Sequence, residues 1–236
     1  NNATITLDDT DHSFTGAVTL STTGSTGHAT IDNGTTAFNV AASSVGGNLT
    51  LTSGNSITDS GTLTVGGNLV ATTDANNGVI NMGTLAVDGT VALTTNGSGN
   101  ATIDNGTLNL DLAASDIGGN LTATSGAAAG ITDSGTITVA GNLVATTDAN
   151  NGVIDLGQLA VAGTMDLTTD GTGNVTIDNG SSDIVLIASG IGGDLTLTSG
   201  AAAGITDSGT VTVAGNLVAT TDANNGVINM GTLAVD

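Results

Sequence analysis

The chain is expected to fold as an all-β parallel β-helix, a β-solenoid. Three observations predict this: a long repeat of about 74 residues, a shorter repeat of 20–30 residues nested inside it, and short alternating strands without helical periodicity. "ITDSGT" begins at Ile57, Ile131 and Ile205, 74 residues apart each time, and "TIDNG" begins at Thr30, Thr102 and Thr176. "GNLVATTDANNGVI" occurs unchanged at 67–80, 141–154 and 215–228. Residues 117–162 and 191–236 align without gaps and differ at seven of 46 positions, so the copies are near duplicates. Triplication of this kind points away from a single pocket and toward work done by the array.

The nested period appears in the aliphatic residues. One series, each member just before a turn, runs Val45, Val65, Val87, Ile117, Val139, Val161, Ile191, Val213 and Val235. A second runs Ile57, Ile80, Ile103, Ile131, Ile154, Ile177, Ile205 and Ile228, and a third Leu49, Leu69, Val91, Leu121, Leu143, Met165, Leu195 and Leu217. Three steps of any series amount to about 74 residues, which predicts three coils per repeat, two short and one long, with each series stacked as a continuous row. "NLTLTSG" at 48–54 and "TLTV" at 62–65 alternate apolar with polar residues and favour β-branched ones. Gly, Asn, Asp and Ser punctuate between them, Pro is absent, and little room is left for helix. A sandwich would not require each coil to reproduce its neighbour's residue types, whereas a solenoid does. The predicted organisation is one continuous solenoid over 1–236: a partial coil at 1–13, repeats at 14–86, 87–160 and 161–234, and the start of another coil at 235–236. At the usual strand spacing of ~4.8 Å, about ten coils span about 48 Å and each three-coil unit rises about 14 Å.

Composition narrows the function. The chain is 38% hydrophobic, enough for a core of small aliphatic layers, with only Phe14 and Phe38 from the Phe/Trp/Tyr group. No Cys is present, which excludes disulfides and cysteine-bound metals. There is no Lys or Arg, and 21 acidic residues, all Asp, give a formal charge of −21. Nucleic-acid phosphates are repelled by such a surface, since their recognition depends on Lys and Arg, so no nucleic-acid partner is expected. No apolar run approaches the roughly 20 residues of a membrane span, and no basic segment precedes a signal-like stretch. Soluble mature material, or an excerpt of a longer protein, is therefore expected, with a composition suited to an extracellular setting.

"VGGNLTLTSGNSITDSGTLTVGGNL" at 45–69, with its "GNL" openings, "ITDSG" corner and "TLTV" strand, resembles the repeats of filamentous-haemagglutinin-type surface proteins of Gram-negative bacteria. The resemblance runs through the chain from Phe14 onward. It implies a right-handed β-helix exported to the cell surface or beyond as an adhesin, biofilm-matrix protein or fibre, with a host or matrix surface as partner. The chain departs from that family in lacking Lys, Arg and hence any Arg-Gly-Asp triplet.

No catalytic, cofactor-binding or metal site is assigned from the residues. His12 and His28 are the only histidines, and the positions equivalent to His28 hold Asn100 and Asn174, so the array works without an imidazole there. The corner residues Asp59, Asp133, Asp207, Asp104 and Asp178 read as turn formers that bond backbone two residues on. Asp155 and Asp178 follow equivalent isoleucines in consecutive coils, which places them about 4.8 Å apart, close enough to repel or to share a calcium ion. Asn48, Asn100 and Asn105 each begin a glycosylation-type triplet.

Two rival readings stay open at this level. A polysaccharide-cleaving β-helix enzyme normally uses Arg or Lys on acidic sugars, and this chain has neither; an Asp pair at roughly 6.5–9.5 Å would still need a cleft that sets one coil apart from its neighbours. An ice-binding solenoid needs a flat Thr-x-Thr face, but the "TLT", "TIT" and "TVT" triplets at 62–64, 136–138 and 210–212 alternate with "TLA" at 84–86 and "QLA" at 158–160. The expected function is a stiff rod or filament segment of a bacterial adhesin or matrix fibre, not an enzyme. Further repeats of itself, or identical chains stacked end to end, are the expected partners, because neither end carries a distinct capping unit.

Overall fold

In "NLTLTSG" the alternation becomes a five-residue strand, Leu49–Ser53, whose Leu49, Leu51 and Ser53 point inward while the threonines between them lie at the surface. A Gly-containing corner leads to two short strands, Ile57–Asp59 and Leu63–Val65, and a second corner leads to Leu69–Thr73, which lies parallel on Leu49–Ser53. One coil is therefore a long strand on one face and two short strands, joined by a bend, on the other. The computed structural model describes residues 2–236, and those residues hold no helix. Eleven strands follow one another along one face from Ile5–Leu7 to Leu217–Thr221, about ten coils, so the predicted solenoid and its coil number both stand.

The faces enclose one aliphatic core that runs from Leu20 to Val213. Leu51, Leu63, Val65, Leu69, Met82 and Leu93 are each 0% exposed, and Phe38 lies on Ile57 at the same register position. Burying a side chain of this size contributes about 1.5–3 kcal/mol, set against the entropy of ordering its coil.

The rows differ from the sequence expectation in one respect. Leu49, Leu69 and Val91 stack as predicted. Leu121, Leu143 and Met165 instead form their row in the opposite sheet, on Ala101, and Leu195 and Leu217 return to the first sheet, on Val175. Ile80 stacks on Ala101 rather than on Ile103, and Ile154 on Val175 rather than on Ile177. Val87 and Ile117 do not pair with each other; Val87 lies on Val65 and Ile117 on Val139.

Walking the pairings from the strand Leu49–Ser53 to its equivalent two repeats further on, Leu195–Ser199, takes seven steps. One repeat thus winds three and a half turns, not three. The long step of the series holds two consecutive long strands, Thr90–Thr94 and Ala101–Asp104, one on each face. Successive copies of the same sequence therefore occupy opposite faces of the rod. The register steps average about 21 residues, and 74 is not a whole multiple of that. At ~4.8 Å per coil the rise becomes about 17 Å per repeat and about 34 Å before the same face recurs.

Ile154 sits between Ile131 and Val175, fully buried. Ile154→Asp should lower stability by about 3–5 kcal/mol in denaturant unfolding, because the charge has no partner there. Asp155→Asn, on the exposed face one residue on, should leave the midpoint unchanged.

Candidate functional site

The half-turn is made by the "TIDNG" segment. Asp104 Oδ1 accepts the Gly106 N–H at 2.8 Å, and Gly106 takes a left-handed φ of 57°, closing a tight turn. The turn holds Asn105 inward, where it is 0% exposed. Its Oδ1 accepts the Val87 N–H at 2.8 Å, and its Nδ2 donates to Val87 O at 3.0 Å and Asn109 O at 2.6 Å. The carboxamide pairs with Val87 as another strand would, and the column of Ser43–Val45, Leu63–Val65 and Leu85–Val87 ends on it. Asn179 closes the next column on Val161 with the same bonds, and Asn33 makes the same pair of bonds to the backbone of Phe14, which lies outside the strands. Backbone groups stranded by the change of face are thereby satisfied, as burial requires. Asp104 and Asp178 are turn formers, as their place in the motif implies, whereas the role of the asparagine is marked in the sequence only by its presence in all three copies.

The other corner aspartates work differently from the expectation. Asp59 does not close its own turn but accepts the N–H groups of Gly83 and Thr84 on the next coil, at 3.1 and 2.8 Å. Asp207 holds Gly231 and Thr232 in the same way, at 2.6 and 2.8 Å. Asp133 holds Gly157 at 2.9 Å, but its Oδ2 is buried without a partner, in the copy where Gln158 stands in place of the threonine. These residues tie coils together, which local sequence cannot show because the partner is 24 or 25 residues away.

A further ladder runs along the corner before each long strand. His28 Nδ1 accepts the Asn48 N–H at 2.8 Å, Asn48 Oδ1 that of Asn68, and Asn68 Oδ1 that of Thr90, each at 3.0 Å. In the next copy Asn100, Asn120 and Asn142 repeat it, ending on Thr164. His28 thus does the job of Asn100 and Asn174, and the triplet asparagines Asn48 and Asn100 are rungs, while Asn105 is enclosed. The unchanged fourteen-residue stretch has the same explanation. Asn76 and Asn77 both adopt left-handed φ, 55° and 52°, a conformation most side chains resist. Asn76 Nδ2 donates back to Gly54 O at 2.7 Å, and Asn77 Oδ1 accepts the Ser98 N–H ahead at 3.0 Å.

The remaining candidates are dispersed. Asp155 lies opposite Thr132 and Thr176, whereas Asp178 lies opposite Thr198, so a two-residue offset in register separates the carboxylates expected to share calcium. No group of three or more His or Asp side chains gathers among the described residues. His12 stacks on Phe14 with ring centroids 5.5 Å apart. A hollow of about 150 Å³ beside Asp32, Gly34 and Asp74 is smaller than the roughly 300–1,000 Å³ of ligand pockets. Thr64 lies between Ser44 and Ala86, and Thr138 between Asp116 and Ala160, so those threonine rows are interrupted as expected. The long strands carry a separate row, Thr52, Thr72 and Thr94, beside Thr50, Val70 and Ala92. On the opposite face Asp166 ends the row of Thr122 and Val144, and burial there pushes its carboxyl above the ordinary value of 3.8.

Residues 26–80, 98–158 and 172–234, well over half of the chain, match a family described as repeats of unknown function (DUF5649). No curated protein and no solved structure matches the chain.

Asn105→Ala should cost about 2–4 kcal/mol, since it strands the Val87 N–H and C=O in the core. Asn105→Asp should cost more, because a carboxylate would face Val87 O; equilibrium unfolding of both variants checks this. Asp166 gives a pH signature. Its folded proton affinity is raised, so it favours the fold at pH below the ordinary carboxylate value and that contribution is lost as pH rises through the raised one. Asp166→Asn should therefore melt higher than the parent at neutral pH, and the difference should vanish in acid.

Proposed function

Because the chain belongs to the DUF5649 repeat family and folds as a continuous β-solenoid, we propose that it is a stiff rod segment of a bacterial surface adhesin or biofilm-matrix fibre, working outside the cell without catalysis. One observation carries the reading: the residues kept identical between copies are joints between coils. Asn105, Asn76, Asn77 and Asp59 each bond the coil before or after their own. Repetition of joints serves length and stiffness, since each coil adds another layer of axial hydrogen bonds.

The half-turn adds to this role. Each outward feature recurs on the opposite side of the rod one repeat later, so a rod of several repeats offers the same surface in two directions. Weak contacts repeated along such a rod reach high avidity. A surface with 21 aspartates and no cation keeps rods from collapsing on one another. The partners that fit are further repeats, identical chains stacked end to end, and a host or matrix surface. A second reading, binding of ice, draws on the paired rows Thr50, Val70, Ala92 and Thr52, Thr72, Thr94, and a thermal-hysteresis measurement separates it.

Surface labelling of intact source cells and cryo-electron microscopy of native material test the proposal. Unbranched rods at the cell surface, with an axial period of about 17 Å or its double, are the expected result. Compact particles confined to the cell interior would overturn it.

A further inference from the structure

The chain holds seven Asn-Gly pairs, beginning at Asn33, Asn77, Asn96, Asn105, Asn151, Asn179 and Asn225. Asn-Gly is the dipeptide most open to intramolecular attack on the carboxamide, because glycine leaves the approach unhindered. We propose that Asn96 is the site at which the folded protein deamidates spontaneously, and that the other six are protected.

The reaction needs three things: a glycine amide free to give up its proton, a carboxamide free to turn toward that nitrogen, and room for the ring. Six pairs fail on the first requirement. Gly34, Gly106 and Gly180 donate their N–H to Asp32, Asp104 and Asp178 at 2.8–2.9 Å. Gly78, Gly152 and Gly226 donate theirs to Ala75, Ala149 and Ala223 at 3.0–3.3 Å. Three also fail on the second, for Asn33, Asn105 and Asn179 are 0% exposed with both ends of the carboxamide bonded to backbone.

Asn96 differs on every count. Residues 96, 97 and 98 are all exposed, the Gly97 N–H makes no hydrogen bond, and the side chain makes one long contact, from the Asn77 N–H to Oδ1 at 3.4 Å. The Gly97 nitrogen, once deprotonated, attacks Asn96 Cγ. The N–Cγ bond forms, the Cγ–Nδ2 bond breaks, and Nδ2 leaves as ammonia. Water then opens the cyclic imide at either carbonyl, giving aspartate or isoaspartate and taking the formal charge from −21 to −22. The fold already accepts an aspartate there. One repeat on, "TTNGSGN" becomes "TTDGTGN", and Asp170 Oδ2 accepts the Asn151 N–H at 3.2 Å, as Asn96 accepts that of Asn77.

The test is to hold the folded chain at mildly alkaline pH beside a sample kept unfolded in denaturant, digest both with pepsin, and follow each Asn-Gly peptide by mass spectrometry. In the folded sample Asn96 should convert about ten-fold or more faster than any of the other six, and the gap should close in denaturant, because local opening must precede reaction at the protected sites. Asn96→Asp should melt with the parent and should remove the slow gain of negative charge seen on ion exchange. Conversion at Asn96 no faster than at the other six in the folded chain, or the same spread of rates in denaturant, overturns the proposal.

Discussion

Each coil must hand its backbone N–H and C=O groups to the next, because strands of two to five residues with no return hairpin have nowhere else to place them. The other features follow from that demand. Coils must close at nearly equal length, so corners are built from residues that accept left-handed backbone, such as Asn76 and Asn77. The inward side chains must stack like on like, which is why Leu, Ile and Val recur through the core.

Where the coil sequence does not fit the circumference, the same demand is met by a side chain. A repeat of three and a half turns strands a column of short strands twice within the chain, at Val87 and at Val161. Asn105 and Asn179 supply the missing donor and acceptor from a carboxamide, whose geometry copies a peptide group. Removing the column without such a plug would leave two buried polar groups unpaired at each change of face, a larger penalty than the entropy of ordering one side chain.

The joints also separate the structural from the chemical content of the surface. Asp59, Asp104, Asp178 and Asp207 have their oxygens on backbone N–H groups, and the carboxamides of Asn48, Asn68, Asn120 and Asn142 each accept a backbone N–H of the next coil. Much of the apparent wealth of Asn and Asp is consumed by the winding. The rows of small outward residues on the long strands are the part of the surface left for contact with another body, and the half-turn sets them alternately on both sides.

The sequence by itself determined the fold class, because alternation and recurrence are one-dimensional properties: inward residues every second position, corners of Gly and Asn, and like residues one coil apart. It also determined that His28 was dispensable as an imidazole, since its equivalents are asparagines. Tertiary structure alone decided the register. Both faces of the coil alternate apolar and polar residues, so Leu121 reads the same whether it continues the row of Val91 or faces it from the opposite sheet. Only the closure of the coil, set by strand spacing and corner geometry in three dimensions, distinguishes three turns from three and a half. The roles of Asn105 and Asp59 were hidden for the same reason: their partners lie 18 and 24 residues away, a separation that acquires meaning only once the circumference is known.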